Sequence, residues 1–245
     1  MGNTHSSKIP VNISLREYQN IQMNIPYNQL QLIKVLQTGY PYEVTGTIYV
    51  DDHYVFKGFE VRTDNNELFS SCASDWKISY HTHPDNTAIK YGLRYFSPPS
   101  VDDIMVIFDH DRSYTPETIS GSMGEISIIF TNEGIYVLQA DRERFVNSAY
   151  MSISDEEMTV LLHTEYNQFM ADYVRKRIIE LTGNAQNLEN PDISHANFVH
   201  IIQGVSNAIA ERLPLQMKFY DWIQLKKDGL PLFVNTYFLN KKVID

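Results

Sequence analysis

Near residue 150 the spacing of apolar residues changes from two to about 3.6, so the two parts of the chain must be built from different elements. Before that point, residues 43–50 are rich in β-branched and aromatic side chains, with Thr45, Ile48, Tyr49 and Val50 among them. Asp51, Asp52 and His53 then form a turn signal ahead of Tyr54, Val55 and Phe56. Residues 76–80 read as a further strand. Residues 126–131 and 135–139 flank Asn132, Glu133 and Gly134, a hairpin signal. After that point, Ser154 and Glu157 make a capping box, and Met158, Leu161, Leu162, Glu165, Phe169, Tyr173 and Ile178 recur at helical spacing as far as Gly183. A second helix starts at Ser194, with Phe198, Ile201, Ile202, Val205 and Ile209 on one face and Pro214 beyond its end. The expected class is α+β, an α/β sandwich with a helical C-terminal extension.

The expected organisation has three parts: an N-terminal arm (1–26), a β-rich domain (27–150) and a helical C-terminal region (151–245). Pro10 and Pro26 punctuate the arm. Leu30, Ile33 and Leu36 predict a short helix over 29–36, stopped by Gly39 and Pro41. Residues 184–191 read as a polar linker, and 230–239 as a strand or a packed extension. At 245 residues the chain can bury a core without staples. Its single cysteine, Cys72, rules out an intrachain disulfide and a cysteine-rich zinc site, and fits a reducing compartment such as the cytoplasm. The net charge of -10, with no basic patch, argues against nucleic-acid binding through phosphates. No apolar run is long enough to span a bilayer, and the N-terminus lacks the apolar core of a secretory signal. Gly2 with Ser6 does match the acceptor pattern for N-myristoylation once Met1 is removed. One such chain would give reversible membrane contact only.

The chemistry-bearing stretch is Tyr80-His81-Thr82-His83-Pro84, followed by Ser97 to Asp103. Two histidines one residue apart in a strand point to the same face. A third ligand from the next element would complete a site with three protein ligands and one open position, the pattern of catalytic zinc. Asp103 is the best candidate, one turn into a helix capped by Ser100. Ser100, three residues earlier, can approach the same metal. Hydrolysis also needs a proton acceptor, and a carboxylate serves. Glu43, Glu60 and Glu67 are all available for that role. The other histidines, at 5, 53, 110, 163, 195 and 200, read as loop, surface or packing residues. Asp109-His110-Asp111 imitates a metal cluster but lies apart from the pair. No zincin motif, phosphate-binding glycine loop or nucleophile elbow is present.

Glu43-Val44-Thr45-Gly46, then His81-Thr82-His83-Pro84, then Ser100 to Asp103, resembles the motif of the JAMM (MPN+ or JAB) metalloproteases. The likeness covers about residues 28–145 and in style is nearest to JAB domains of large DNA viruses. It implies a curved mixed sheet wrapped by helices, the cytidine-deaminase-like MPN fold. It implies zinc held by His81, His83 and Asp103, water activation by Glu43, and oxyanion stabilisation by Ser100. It also implies cleavage of conjugates of ubiquitin or a ubiquitin-like modifier. Sixteen residues, 84–99, separate His83 from Ser100, more than the family pattern has. Tyr91, Tyr95 and Phe96 make this insert either a substrate-contacting loop or a self-packed connection. The competing expectation is a non-enzymatic MPN-like scaffold that acts, or dimerises, through its terminal helices.

Overall fold

In chain order the elements are β1 (Leu15–Ile25), α1 (Tyr27–Gly39), β2 (Thr45–Val50), β3 (Phe56–Thr63), β4 (Asn66–Leu68), β5 (Trp76–Thr82) and α2 (Val101–Arg112). They continue with β6 (Ile126–Phe130), β7 (Gly134–Ala140), α3 (Arg142–Val146), α4 (Asp155–Leu162), α5 (Phe169–Thr182), α6 (His195–Arg212), β8 (Leu215–Asp221), α7 (Trp222–Asp228) and β9 (Leu230–Leu239). The computed structural model describes residues 15–39, 43–50, 55–63, 66–68, 76–83, 96–113, 126–183 and 193–239. The turn expected at 51–53, the linker at 184–191 and Gly2 lie outside the described residues.

A seven-stranded sheet runs in the order β4-β3-β2-β5-β6-β7-β8, and all neighbours are antiparallel except β5 and β6. A parallel pair cannot be closed by a tight turn, and the segment joining β5 to β6 carries α2. The strands β6 and β7 are buried on both faces. On one face Ile129, Tyr136, Leu138, Met217 and Phe219 pack against α2, α4, α5 and α6 through Ile104, Phe108, Met158, Val174 and Val205. On the other, Ile48, Ile78, Tyr80, Ile128 and Phe130 meet Met23, Ile25, Leu30, Ile33, Leu225 and Leu232. The consecutive residues Ile128, Ile129 and Phe130 are all fully buried because the pleat sends them alternately into these two cores. Withdrawing one such side chain from water contributes about 1.5–3 kcal/mol.

The helices form where local signals agree with burial. Ser100 caps α2 with a full capping box, its side chain accepting from the Asp103 N–H and its own N–H donating to Asp103. Asp102 and Asp103 in the first turn and Arg112 in the last complement the helix dipole. Ser154 and Glu157 form the second capping box, at the start of α4. The helix that begins there does not run evenly to Gly183: six residues, His163–Gln168, are wound as a π-helix between α4 and α5. Gly183 ends α5 with φ of 66°, a left-handed conformation that glycine adopts without strain.

Two segments differ from the sequence-based expectation. Residues 15–25, expected within an arm, form β1 and pair antiparallel with β9 in a separate two-stranded sheet. Met23 and Ile25 alternate around exposed Asn24 and are buried, but their partners lie some two hundred residues away in sequence. The C-terminal region, expected as helical with a strand or packed extension at 230–239, also supplies β8 to the large sheet, while 230–239 takes the strand alternative as β9. Among the described residues, no helix is long and apolar enough to cross a membrane.

Candidate metal centre

The register of β2 against β5 brings the motif pieces together. Thr45 lies opposite His81 and Gly46 opposite Tyr80. The pairing continues past β2: the Thr82 N–H donates to the Val44 carbonyl at 2.9 Å, and the Val44 N–H donates to Thr82 Oγ1 at 2.9 Å. This clasp sets Glu43 beside His83. On the other side, the His83 N–H donates to the Phe130 carbonyl at 2.8 Å, which holds the end of β5 against β6. Gly46 has a steric reason to be glycine. A Cβ there would stand 2.0 Å from the Glu60 carbonyl oxygen and 2.5 Å from the Tyr80 ring, whose hydroxyl donates to that same carbonyl at 2.9 Å.

His81, His83 and Asp103 converge. His81 Nε2 lies 2.9 Å from Asp103 Oδ1, His83 Nε2 3.4 Å from Asp103 Oδ2, and the two Nε2 atoms 3.1 Å from each other. One ligand atom from each residue falls within 4.8 Å of the others. A tetrahedral zinc with bonds of about 2.0 Å keeps its ligand atoms about 3.3 Å apart, so these three donors fit a metal ion with little movement. Glu43 Oε1 is 3.9 Å from His83 Nε2, and its side chain is 53% exposed, close enough to act at the centre and open to solvent. Ser100 borders the same place as the cap of α2.

The charges are coupled. Burial alone would raise the Asp103 carboxyl, but hydrogen bonds and positive charge from His81 and His83 hold it well below the usual carboxylate range. Burial alone would lower the His83 imidazole. The hydrogen bond and charge of Asp103, the charge of Glu43 and the Ser97 carbonyl outweigh it and hold His83 above its ordinary value. The centre thus attracts a cation, and protons compete for it.

Behind the ligands lies a layer that sequence reasoning did not find. His83 Nδ1 lies 3.2 Å from the Ser97 carbonyl, so it carries the proton and leaves Nε2 for a metal. The Ser97 N–H donates to buried Glu133 at 2.9 Å, and the Tyr136 hydroxyl donates to the same oxygen at 3.3 Å. Burial pushes the Glu133 carboxyl up to about 7, against the hydrogen bonds that favour its charge. Tyr166, from the π-helical turn, donates its hydroxyl to the Pro99 carbonyl at 2.5 Å and is fully buried. Glu133 sits in a turn tripeptide, where a charged residue reads as solvated. The only signal was its place between β6 and β7, both mostly apolar and almost wholly buried.

Two clefts meet at Glu43. One, of about 370 Å³, runs along the strands and is lined by Thr45, Thr47, Ser79, His81, Asp103 and Val106 among others. The second, of about 250 Å³, lies on the helix side between His83, Ser97–Asp102 and the π-helical residues His163 and Asn167. Of the three candidate bases, Glu60 lies on β3 with β2 between it and β5, and binds the Tyr49 hydroxyl. Glu67 lies on β4, one strand farther. Phe96 of the insert is fully buried in the core, while 84–95 lie outside the described residues. Asp109, His110 and Asp111 occupy the far end of α2, where Asp111 pairs with Arg142. His195 and His200 are exposed on α6; His195 Nε2 lies 3.8 Å from Asp221 Oδ1. His5 and His53 lie outside the described residues. Two imidazoles and a carboxylate beside a free carboxylate, at an open cleft, can hold a divalent ion and deprotonate water. Compared with known proteins, the chain matches no family model, no curated protein and no solved structure.

Proposed function

We propose that this chain is a zinc-dependent isopeptidase of the JAMM (MPN+, JAB) type that removes ubiquitin or a ubiquitin-like modifier. The observation that carries the reading is the convergence of His81, His83 and Asp103 with Glu43 at the junction of two clefts. A mixed sheet with α2 joining its one parallel pair is compatible with the MPN arrangement. His81, His83 and Asp103 would hold the ion, which supplies a Lewis acid and a water acidified toward neutral pH. Glu43 is the base: it takes the proton of the attacking water and returns it to the leaving nitrogen. The Ser100 hydroxyl accepts the Asp103 N–H and keeps its own proton as a donor for the carbonyl oxygen that becomes negative. The Ser97 carbonyl keeps His83 in the tautomer that presents Nε2. A scaffold reading has no use for a complete ligand set with an exposed carboxylate beside it.

The deciding experiment measures zinc in the purified protein beside turnover on di-ubiquitin linkages, ubiquitin-like conjugates and plain peptides. One zinc per chain is expected in wild type and in Glu43→Gln, with cleavage lost by at least about 100-fold in the variant. Ser100→Ala is expected to lose about 100-fold or more with zinc retained. Full zinc occupancy in His81→Ala/His83→Ala, or wild-type turnover in Glu43→Gln, would overturn the assignment.

A further inference from the structure

The π-helical turn His163–Gln168 interrupts a continuous helix at the point where that helix passes the helix-side cleft. Such widened turns lose regular hydrogen bonding and recur at functional sites. This one is fixed from two directions. The Tyr166 hydroxyl binds the Pro99 carbonyl, and the Arg212 guanidinium reaches Glu165 at 2.7 Å while lying over the Phe169 ring. With the turn held, His163 and Asn167 line the cleft opposite His83, Ser100 and Glu43. The Asn167 amide donates to His163 Nδ1 at 3.0 Å, which places the ring proton on Nε2. In this arrangement the neutral His163 ring carries its N–H at Nε2, at the edge of the cleft.

We propose that His163 is a substrate-positioning residue, its Nε2–H donating to a backbone carbonyl of the bound peptide segment, with Asn167 acting through the imidazole to set the tautomer. This rests on the reading of the centre as a peptide- or isopeptide-cleaving site. A neutral carbonyl is the ligand the surroundings allow. Glu43 and Asp102 line the same cleft and the whole chain is acidic, so an anion is repelled. Pro98, Pro99 and Val101 give the cleft apolar walls that suit the chain of an extended peptide. At about 250 Å³ it admits a short segment and not a folded domain.

The test compares wild type, His163→Ala, His163→Gln and Asn167→Ala on the di-ubiquitin that wild type cleaves fastest, with zinc measured in each. His163→Ala is expected to raise KM about three- to ten-fold with kcat nearly unchanged, the size of one neutral hydrogen bond. His163→Gln, which keeps an N–H donor, is expected to recover most of that loss, and zinc content is expected to be equal throughout. Independently of turnover, imidazole NMR of the Glu43→Gln protein is expected to show the His163 Nε2–H signal moving downfield on addition of N-acetyl-glycyl-glycine amide. Asn167→Ala is expected to mix the two His163 tautomers. A wild type that holds zinc and cleaves, beside a His163→Ala protein with unchanged KM or a His163 signal indifferent to the peptide, overturns the subsite alone. A wild type that neither holds zinc nor cleaves overturns the hydrolase reading and the subsite with it.

Discussion

Asp103 and Asp111 stand about two turns apart on α2, and their surroundings give them opposite roles. Asp111 is fully buried and meets the equally buried Arg142 side-on, Nε to Oδ2 and Nη2 to Oδ1, both at 3.0 Å. Its charge is matched by a guanidinium, with His110 Nδ1 at 3.3 Å from the same Oδ1, so the pair ties α2 to α3 inside the core. Asp103 instead faces two imidazoles, groups that can give up their protons, and keeps an edge on the cleft. The difference lies in the partner: a permanent cation closes a buried carboxylate, whereas titratable nitrogen donors leave a site that exchanges a proton for a metal.

The strongest way to break this contrast is to remove each carboxylate in turn. Asp111→Ala takes the matching carboxylate from the buried Arg142 guanidinium and is expected to lower stability by about 3–5 kcal/mol. Asp103→Ala opens the capping box of α2 and removes the His81 and His83 contacts at the cleft edge; it is expected to lower stability by less than Asp111→Ala and to abolish zinc binding. If the two unfolding curves shift equally, the roles are not distinct.

Glu133 sharpens the contrast as a third buried carboxyl, paired with neutral donors. Its folded value is pushed up from 4.5 to about 7. Between those values the unfolded chain has released this proton while the folded chain still holds it. Stability therefore falls as pH rises through that window, by about 3 kcal/mol in all, and this group contributes no further change above about 7. Glu133→Gln is expected to flatten that slope in urea titrations at a series of pH values. A slope equal to wild type would show that Glu133 is ionised in the fold.

A smaller effect separates architecture from ligands. Gly46→Ala drives a methyl into the Glu60 carbonyl and the Tyr80 ring next to His81. It is expected to cost about 1–3 kcal/mol and to weaken zinc binding without removing any ligand. The smallest effect concerns proton competition. Because Asp103 and Glu43 hold His83 above its ordinary value, zinc binding should release protons and weaken as pH falls. Calorimetry in buffers of different ionisation enthalpy measures this release. A buffer-independent heat would show that His83 is already neutral in the metal-free protein.

Much of the site was legible because its pieces carry local signatures. Two histidines at a spacing of two share a strand face, Ser100 with Asp103 is a capping box and a ligand carrier at once, and turn and cap residues marked β6, β7, α4 and α6. What tertiary structure decided has no local signature. That β1 leaves the expected arm to pair with β9 follows from burial shared by segments at opposite ends of the chain. That Glu43 rather than Glu60 stands at the centre follows from strand order and register, which place β3 beyond β2. Glu133 behind His83, Arg142 against Asp111 and His163 in the cleft are each brought in by packing, because a side chain's partners across a core depend on where distant elements stack, and local sequence pattern encodes only the elements themselves.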